Sequence, residues 1–74
     1  MTTYVVFSFY YGNFLGMAAV FTSLEEAQEH MRRQLDEELE LLREEGYEGG
    51  HTLDEDYASV DNNDVWWQIK EIEL

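Results

Sequence analysis

Two histidines and seventeen carboxylates are the side chains of this 74-residue chain that could do chemistry. A hydrolytic centre needs a nucleophile, a base and an orienting group held together. His30 sits between Glu26 and Gln34 at four-residue spacing, and His51 follows Gly49 and Gly50. Neither has a thiol to activate, since the chain has no cysteine, and no Gly-x-Ser-x-Gly or Ser-x-x-Lys is present. Both histidines are therefore expected as ordinary surface residues, and no catalytic group is assigned. A glycosidase pair needs a cleft between its two acids, and so short a chain offers no obvious one. A calcium loop fails on spacing. Counting from Asp61, the fifth position is Val65 and the sixth is Trp66, where an EF-hand needs a ligand and a glycine. No metal and no cofactor is assigned.

What remains for the carboxylates is recognition through charge. The formal net charge is −13, beyond the roughly 2–8 that solubility asks of a small domain. Phosphates would be repelled, so nucleic acid and anionic lipid are not expected as direct partners. A basic protein surface is. The plainer reading is an acidic face that only solubilises the chain. Position argues for more. Residues 1–24 hold no charged side chain, and all seventeen acids lie from Glu25 onward. In the middle of the helical stretch, Glu29, Arg32, Arg33, Asp36 and Glu37 can pair at i,i+3 and i,i+4. From Asp36 to Glu45 there are six acids against Arg43 alone. Glu44 and Glu45 fall at the helix C-terminus, where the macrodipole disfavours an anion by about 0.3–1 kcal/mol. Asp54, Glu55, Asp56, Asp61 and Asp64 add a second group with no basic residue among them. Carboxylates kept where they cost stability point to selection for the charge itself.

The elements that carry these acids can be read from periodicity. Ser23 to Glu45 is one helix, with Leu24, Ala27, Met31, Leu35, Leu39 and Leu42 forming a stripe at spacings of three and four. Ser23 with Glu26, or equally Thr22 with Glu25, gives a capping-box start. Gly46 suits the left-handed residue past the end. Thr3 to Tyr10 and Phe14 to Phe21 have strand composition and flank Gly12-Asn13, a two-residue hairpin turn. That turn pairs Tyr10 with Leu15, Phe9 with Gly16, Phe7 with Ala18 and Val5 with Val20. One hairpin face then holds Val5, Phe7, Phe9, Tyr11, Phe14, Ala18 and Val20. The other holds Tyr4, Val6, Ser8, Tyr10, Leu15, Met17, Ala19 and Phe21. Both are apolar, and one helix covers one face. Tyr4, Tyr10, Leu15 and Met17 are the expected exposed set, unless the C-terminal part covers them.

After a loop over residues 47–52, Tyr57 to Val60 and Val65 to Leu74 are strands joined by a turn at Asn62-Asn63. That turn points Ala58, Val60, Val65, Trp67 and Ile69 inward and Tyr57, Trp66 and Gln68 outward. It sets Asp61 against Asp64, a like-charge pair that costs stability. The expectation is a single domain over residues 1–74 of class α+β. Two β-hairpins flank one long amphipathic helix (ββαββ), with the helix packed on an antiparallel sheet. A chain this small buries only about 60% of its unfolded surface, so the core is thin. The absence of cysteine fits a reducing cytoplasm. No basic leader and no apolar run of about 18 residues suggests export or a membrane span.

A tiny cysteine-free chain with an uncharged hairpin, an acidic helix and a C-terminal acidic hairpin resembles the small phage-encoded inhibitors of bacterial defence. These are the anti-CRISPR proteins and the DNA-mimic antirestriction proteins. Tyr11-Gly12-Asn13-Phe14-Leu15-Gly16 ahead of an acidic helix is similar to the antirestriction pattern. The resemblance implies a non-enzymatic protein that occupies the basic nucleic-acid-binding surface of a nuclease or CRISPR effector, in the host cytoplasm. The residues expected to carry this are Asp36, Glu37, Glu40, Glu44, Asp54, Glu55, Asp56, Asp61 and Asp64. Tyr57 and Trp66 would serve as apolar anchors beside them. The alternative is a small acidic structural or regulatory interaction module, homodimeric through the uncharged N-terminal hairpin.

Overall fold

A computed structural model describes residues 1–10, 14–61 and 65–73. The expected turns at Gly12-Asn13 and Asn62-Asn63, with Tyr11, Asp64 and Leu74, lie outside the described residues. The order is β1 (Thr2–Tyr10), β2 (Phe14–Phe21), α1 (Leu24–Glu44), β3 (His51–Leu53), β4 (Tyr57–Val60) and β5 (Val65–Glu73). The class is α+β, with one helix on a five-stranded antiparallel sheet of order β2-β1-β5-β4-β3. No helix among the described residues is long and apolar enough to cross a membrane.

Two details of the expected ββαββ plan change. Part of the expected loop is a fifth strand: His51, Thr52 and Leu53 pair with Val60, Ser59 and Ala58. Its ends are closed by Asp61 N–H to Gly50 O (3.1 Å) and Asp54 N–H to Tyr57 O (2.7 Å). Three residues are too few for a periodicity to show. Nor do two hairpins flank the helix as separate units. β1 and β5, from opposite ends of the chain, pair from Thr2–Glu73 to Tyr10–Val65 and form the middle of one sheet.

The helix ends follow from local chemistry. Of the two legal caps, the chain uses Ser23: its Oγ accepts from Glu26 N–H at 3.1 Å. At the other end Gly46 adopts φ +99°. Its N–H donates to Arg43 O (3.1 Å), and Tyr47 N–H donates to Leu42 O (2.9 Å). This is the paired bond set of a Schellman ending. Replacing Gly46 with alanine is expected to cost about 1 kcal/mol, because a Cβ disfavours the left-handed region; urea titration would measure it.

Along the stripe, Ala27, Met31, Leu35 and Leu39 are buried and Leu42 packs partly against them. Leu24, expected inside, is 38% exposed: it is the first helical residue and projects beyond the packed stripe. From the sheet, Ala58, Val60, Val65, Trp67 and Ile69 point inward as their alternation requires. Ala58 pairs with Trp67 as expected. Gln34 crosses this interface. Its Oε1 accepts from Ser8 Oγ (2.9 Å) and from Trp67 Nε1 (3.0 Å), tying α1 to β1 and β5.

The β1–β2 register is corrected near the turn. Phe7–Ala18 and Val5–Val20 hold, but the pairing shifts between Ser8 and Phe9, giving Phe9–Leu15 and Tyr10–Phe14. Gly16 is the extra residue of this bulge, and the Tyr10 ring lies where its side chain would be. The choice of face is corrected as well. The helix covers the side of Tyr4, Val6, Ser8 and Tyr10, and Tyr4 and Tyr10 are half-buried against the core. The uncovered side is that of Val5, Phe7 and Phe9. On the covered side Val6, Val65, Trp67 and Ile69 pack against the helix stripe, and Ser8, the polar residue there, is satisfied by Gln34.

Candidate acidic interface

Four-residue steps along α1 advance about 6 Å each. Asp36, Glu40 and Glu44 therefore form one row on the flank that faces β3. They share an open groove with Leu39, Arg43 and His51. Toward the helix start, Glu25 and Glu29 face Asp54 and Glu55 across a second groove on the same flank, with Met31 and Leu53 among its lining. The structure thus brings the helix acids and the Asp54–Glu55 acids onto one side of the molecule. Glu37 lies on the opposite flank, where it and Glu38 act on Tyr10. Asp56 and Asp61 are exposed at the ends of β4. Asp64 is outside the described residues.

This side is held rigidly. Gln28 Nε2 donates to Glu55 O (2.9 Å), which ties the acidic turn to the helix. Ile69 N–H donates to Asp56 O (2.8 Å), and Tyr47 Oη–H donates to Gly50 O (2.8 Å). Side-chain neutralisation is sparse. Among the described residues the ion pairs are Glu29–Arg33 at 3.1 Å and the Met1 amino group with Glu73 at 3.8 Å, both exposed. The first is the i,i+4 pair expected from the sequence; a matching Arg32–Asp36 pair is not among them. A group of acids or histidines arranged to hold a metal ion is also absent from the described residues.

Tyr57 and Trp66 do not sit beside these acids. Trp67 is buried on the helix side, so its neighbour Trp66 faces the other way, where it stacks on Phe9 with centroids 4.0 Å apart at 11°. Tyr57 lies 6.1 Å from Trp66 on the same side. The apolar side chains that do stand among the acids are Leu41 and Leu53, 57% and 44% exposed. Leu41 falls between Glu37, Glu38, Glu44 and Glu45 in helical spacing. It lies one position off the buried stripe, and that offset was the signal available in the sequence.

Burial raises the Tyr10 hydroxyl above its usual range. The nearby Glu38 charge adds to this, the Ser8 hydrogen bond opposes it, and Glu37 adds a smaller push upward. A raised folded-state value means the folded form holds the proton longer than the unfolded chain. Stability is then fully present below the ordinary tyrosine range and is lost as pH rises through the folded-state value. Tyr10→Phe is expected to flatten that alkaline limb of a melting-temperature profile. Glu44 occupies the last helical position and Glu45 the C-cap. Replacing both with lysine is expected to raise stability by roughly 0.3–1 kcal/mol per site through the helix dipole, readable as a higher melting temperature.

No family model, curated protein or solved structure matches the chain. The functional reading therefore rests on these surfaces.

Proposed function

We propose that the protein is a non-enzymatic acidic inhibitor that lays its helix–β3 flank on the basic nucleic-acid-binding surface of another protein. The partner class is a defence nuclease or CRISPR effector, and the inhibitor works as a nucleic-acid mimic. One observation carries this reading: Asp36, Glu40, Glu44, Asp54 and Glu55 line adjoining grooves on one flank, exposed and outside any described ion pair.

Charge density sets the terms of the mimicry. One DNA strand carries a phosphate per about 3.4 Å of axis. A helix row at four-residue spacing carries one carboxylate per about 6 Å. The row alone is too sparse, and the Asp54–Glu55 turn with Glu25 and Glu29 supplies a second line of charge. Arg32 and Arg43 interrupt the flank, which sets which pattern of basic residues fits. Leu53 is the apolar anchor on this side; a charged rim steers encounter, and a few apolar contacts slow dissociation.

The experiment is inhibition with competition. The protein is titrated into cleavage reactions of purified RNA-guided and restriction nucleases, with and without excess substrate DNA as the competitor. Inhibition relieved by the competing nucleic acid is the expected result. Inhibition insensitive to nucleic acid would place the contact elsewhere on the nuclease and remove the mimic reading.

A further inference from the structure

The sheet face turned away from the helix is the other large feature of the molecule. Its described side chains include Val5, Phe7 and Phe9 of β1, Val20 of β2, Tyr57 of β4 and Trp66 of β5. Alternation and pairing place them together. The rings form a continuous row across three strands: Phe7 to Phe9 at 6.4 Å, Phe9 to Trp66 at 4.0 Å, and Trp66 to Tyr57 at 6.1 Å. Val20 is 66% exposed and Ile72, opposite Thr3, is 40% exposed. Lys70, opposite Val5, is directed to this face, and Asp61, which follows Tyr57 and Ser59 in alternation and stands beside Gly50, lies at its β4 end. In a chain of net charge −13, a face whose one carboxylate is matched by one lysine is distinctive.

An aromatic row on an open sheet is also how single-stranded nucleic acid is stacked, but such platforms run along a positively charged groove. Here one lysine stands against seventeen acids in the chain, so a phosphate backbone is not the occupant. A basic protein surface gains little from a face whose single carboxylate is already matched by a lysine. What fits is a flat, largely apolar surface with no net charge, and the molecule itself carries one. Two copies meeting here bring together the parts with the least mutual repulsion and leave both acidic helices outside. The molecule measures 43 × 22 × 15 Å, so the face is bounded by about 900 Å², close to the ~800 Å² per partner of a standard interface.

We infer that the protein forms a two-fold dimer by packing this open sheet face against the same face of a second copy. The result is a helix–sheet–sheet–helix sandwich with the sheets about 10 Å apart. The acidic flanks then point outward on both sides, so this inference stands or falls independently of the inhibitor reading.

The test is sedimentation equilibrium of the wild-type chain and of Val20→Lys and Ile72→Lys, over a broad concentration range at moderate salt. Both replaced residues are exposed in the monomer, so both variants should keep the wild-type circular dichroism and melting behaviour. Both also lower the net negative charge, so general repulsion falls and only the local burial of a charge can separate the copies. The wild type is expected to be a dimer, and each lysine to weaken it at least about tenfold, as an unpaired charge placed in an apolar contact should. Ile72 lies two strands in from the free edge of β2, so a dimer made by edge pairing at β2 would not feel its replacement. A monomeric wild type, or a dimer indifferent to Ile72→Lys, overturns the inference.

Discussion

Replacing Gln34 with leucine is expected to lower stability by about 2–5 kcal/mol, since it strands two buried donors at roughly 1–3 kcal/mol each. The donors are Ser8 Oγ–H and Trp67 Nε1–H, on residues 1% and 0% exposed. Leucine nearly matches the volume and keeps the helical propensity, so the loss is one of hydrogen bonds. Total stability for a chain of this length is on the order of 4–11 kcal/mol, at about 0.05–0.15 per residue. The variant should therefore lose a large share of its stability and melt well below the wild type. Adding Ser8→Ala to Gln34→Leu removes one of the stranded donors, and part of the loss should return. Denaturant titration of the four proteins in this cycle measures it. Purely additive effects would mean that the three side chains do not form one network.

Neutralising the acidic flank should have the largest effect on binding. The variant carries Asp36→Asn, Glu40→Gln, Glu44→Gln, Asp54→Asn and Glu55→Gln. Exposed ion pairs are worth about 0.2–1 kcal/mol each, so five lost together should weaken the partner complex by about 1–5 kcal/mol, from several-fold to a few thousand-fold. Opposite-sign changes in binding and stability are the signature. Removing five like charges relieves repulsion within the fold, and Glu44→Gln also relieves the helix C-terminus. The variant should melt higher while it binds less. Calorimetric titration against the inhibited nuclease gives the first quantity and a thermal melt the second. A less stable variant with unchanged affinity would make these acids structural.

Much of the fold follows from local signals in the chain. The stripe Ala27–Met31–Leu35–Leu39 and the left-handed Gly46 are each fixed by spacing or by one residue's conformational freedom and appear where those signals place them, and the cap is Ser23, one of the two that spacing allowed. Alternation likewise set the inward side of β4 and β5. What could not be read was non-local. Nothing near Thr2–Tyr10 or Val65–Glu73 states that the two strands pair. Nor does an apolar alternation on both faces of β1 say which side a helix will choose. The chosen side is the one where Val6, Val65, Trp67 and Ile69 meet the helix stripe and where Gln34 reaches Ser8 and Trp67 across three elements. The bulge at Gly16 needed the Tyr10 ring, placed by tertiary packing.

The candidate site divides in the same way. The helix row at positions 36, 40 and 44 is helical spacing and was legible. Its meeting with Asp54 and Glu55 depends on the Gln28 bond to the turn. Tyr57 and Trp66 point away from the helix side as read, which sets them on the face opposite the helix–β3 grooves.

The most direct test of charge mimicry is the affinity of the wild-type protein for an inhibited nuclease as a function of salt. Exposed charges are screened within about 10 Å at 0.1 M salt. Affinity is therefore expected to fall steeply from low to high salt, and the five-site neutral variant should show a visibly shallower slope. Affinity that is level across the salt range, or equal slopes for the two proteins, would contradict it.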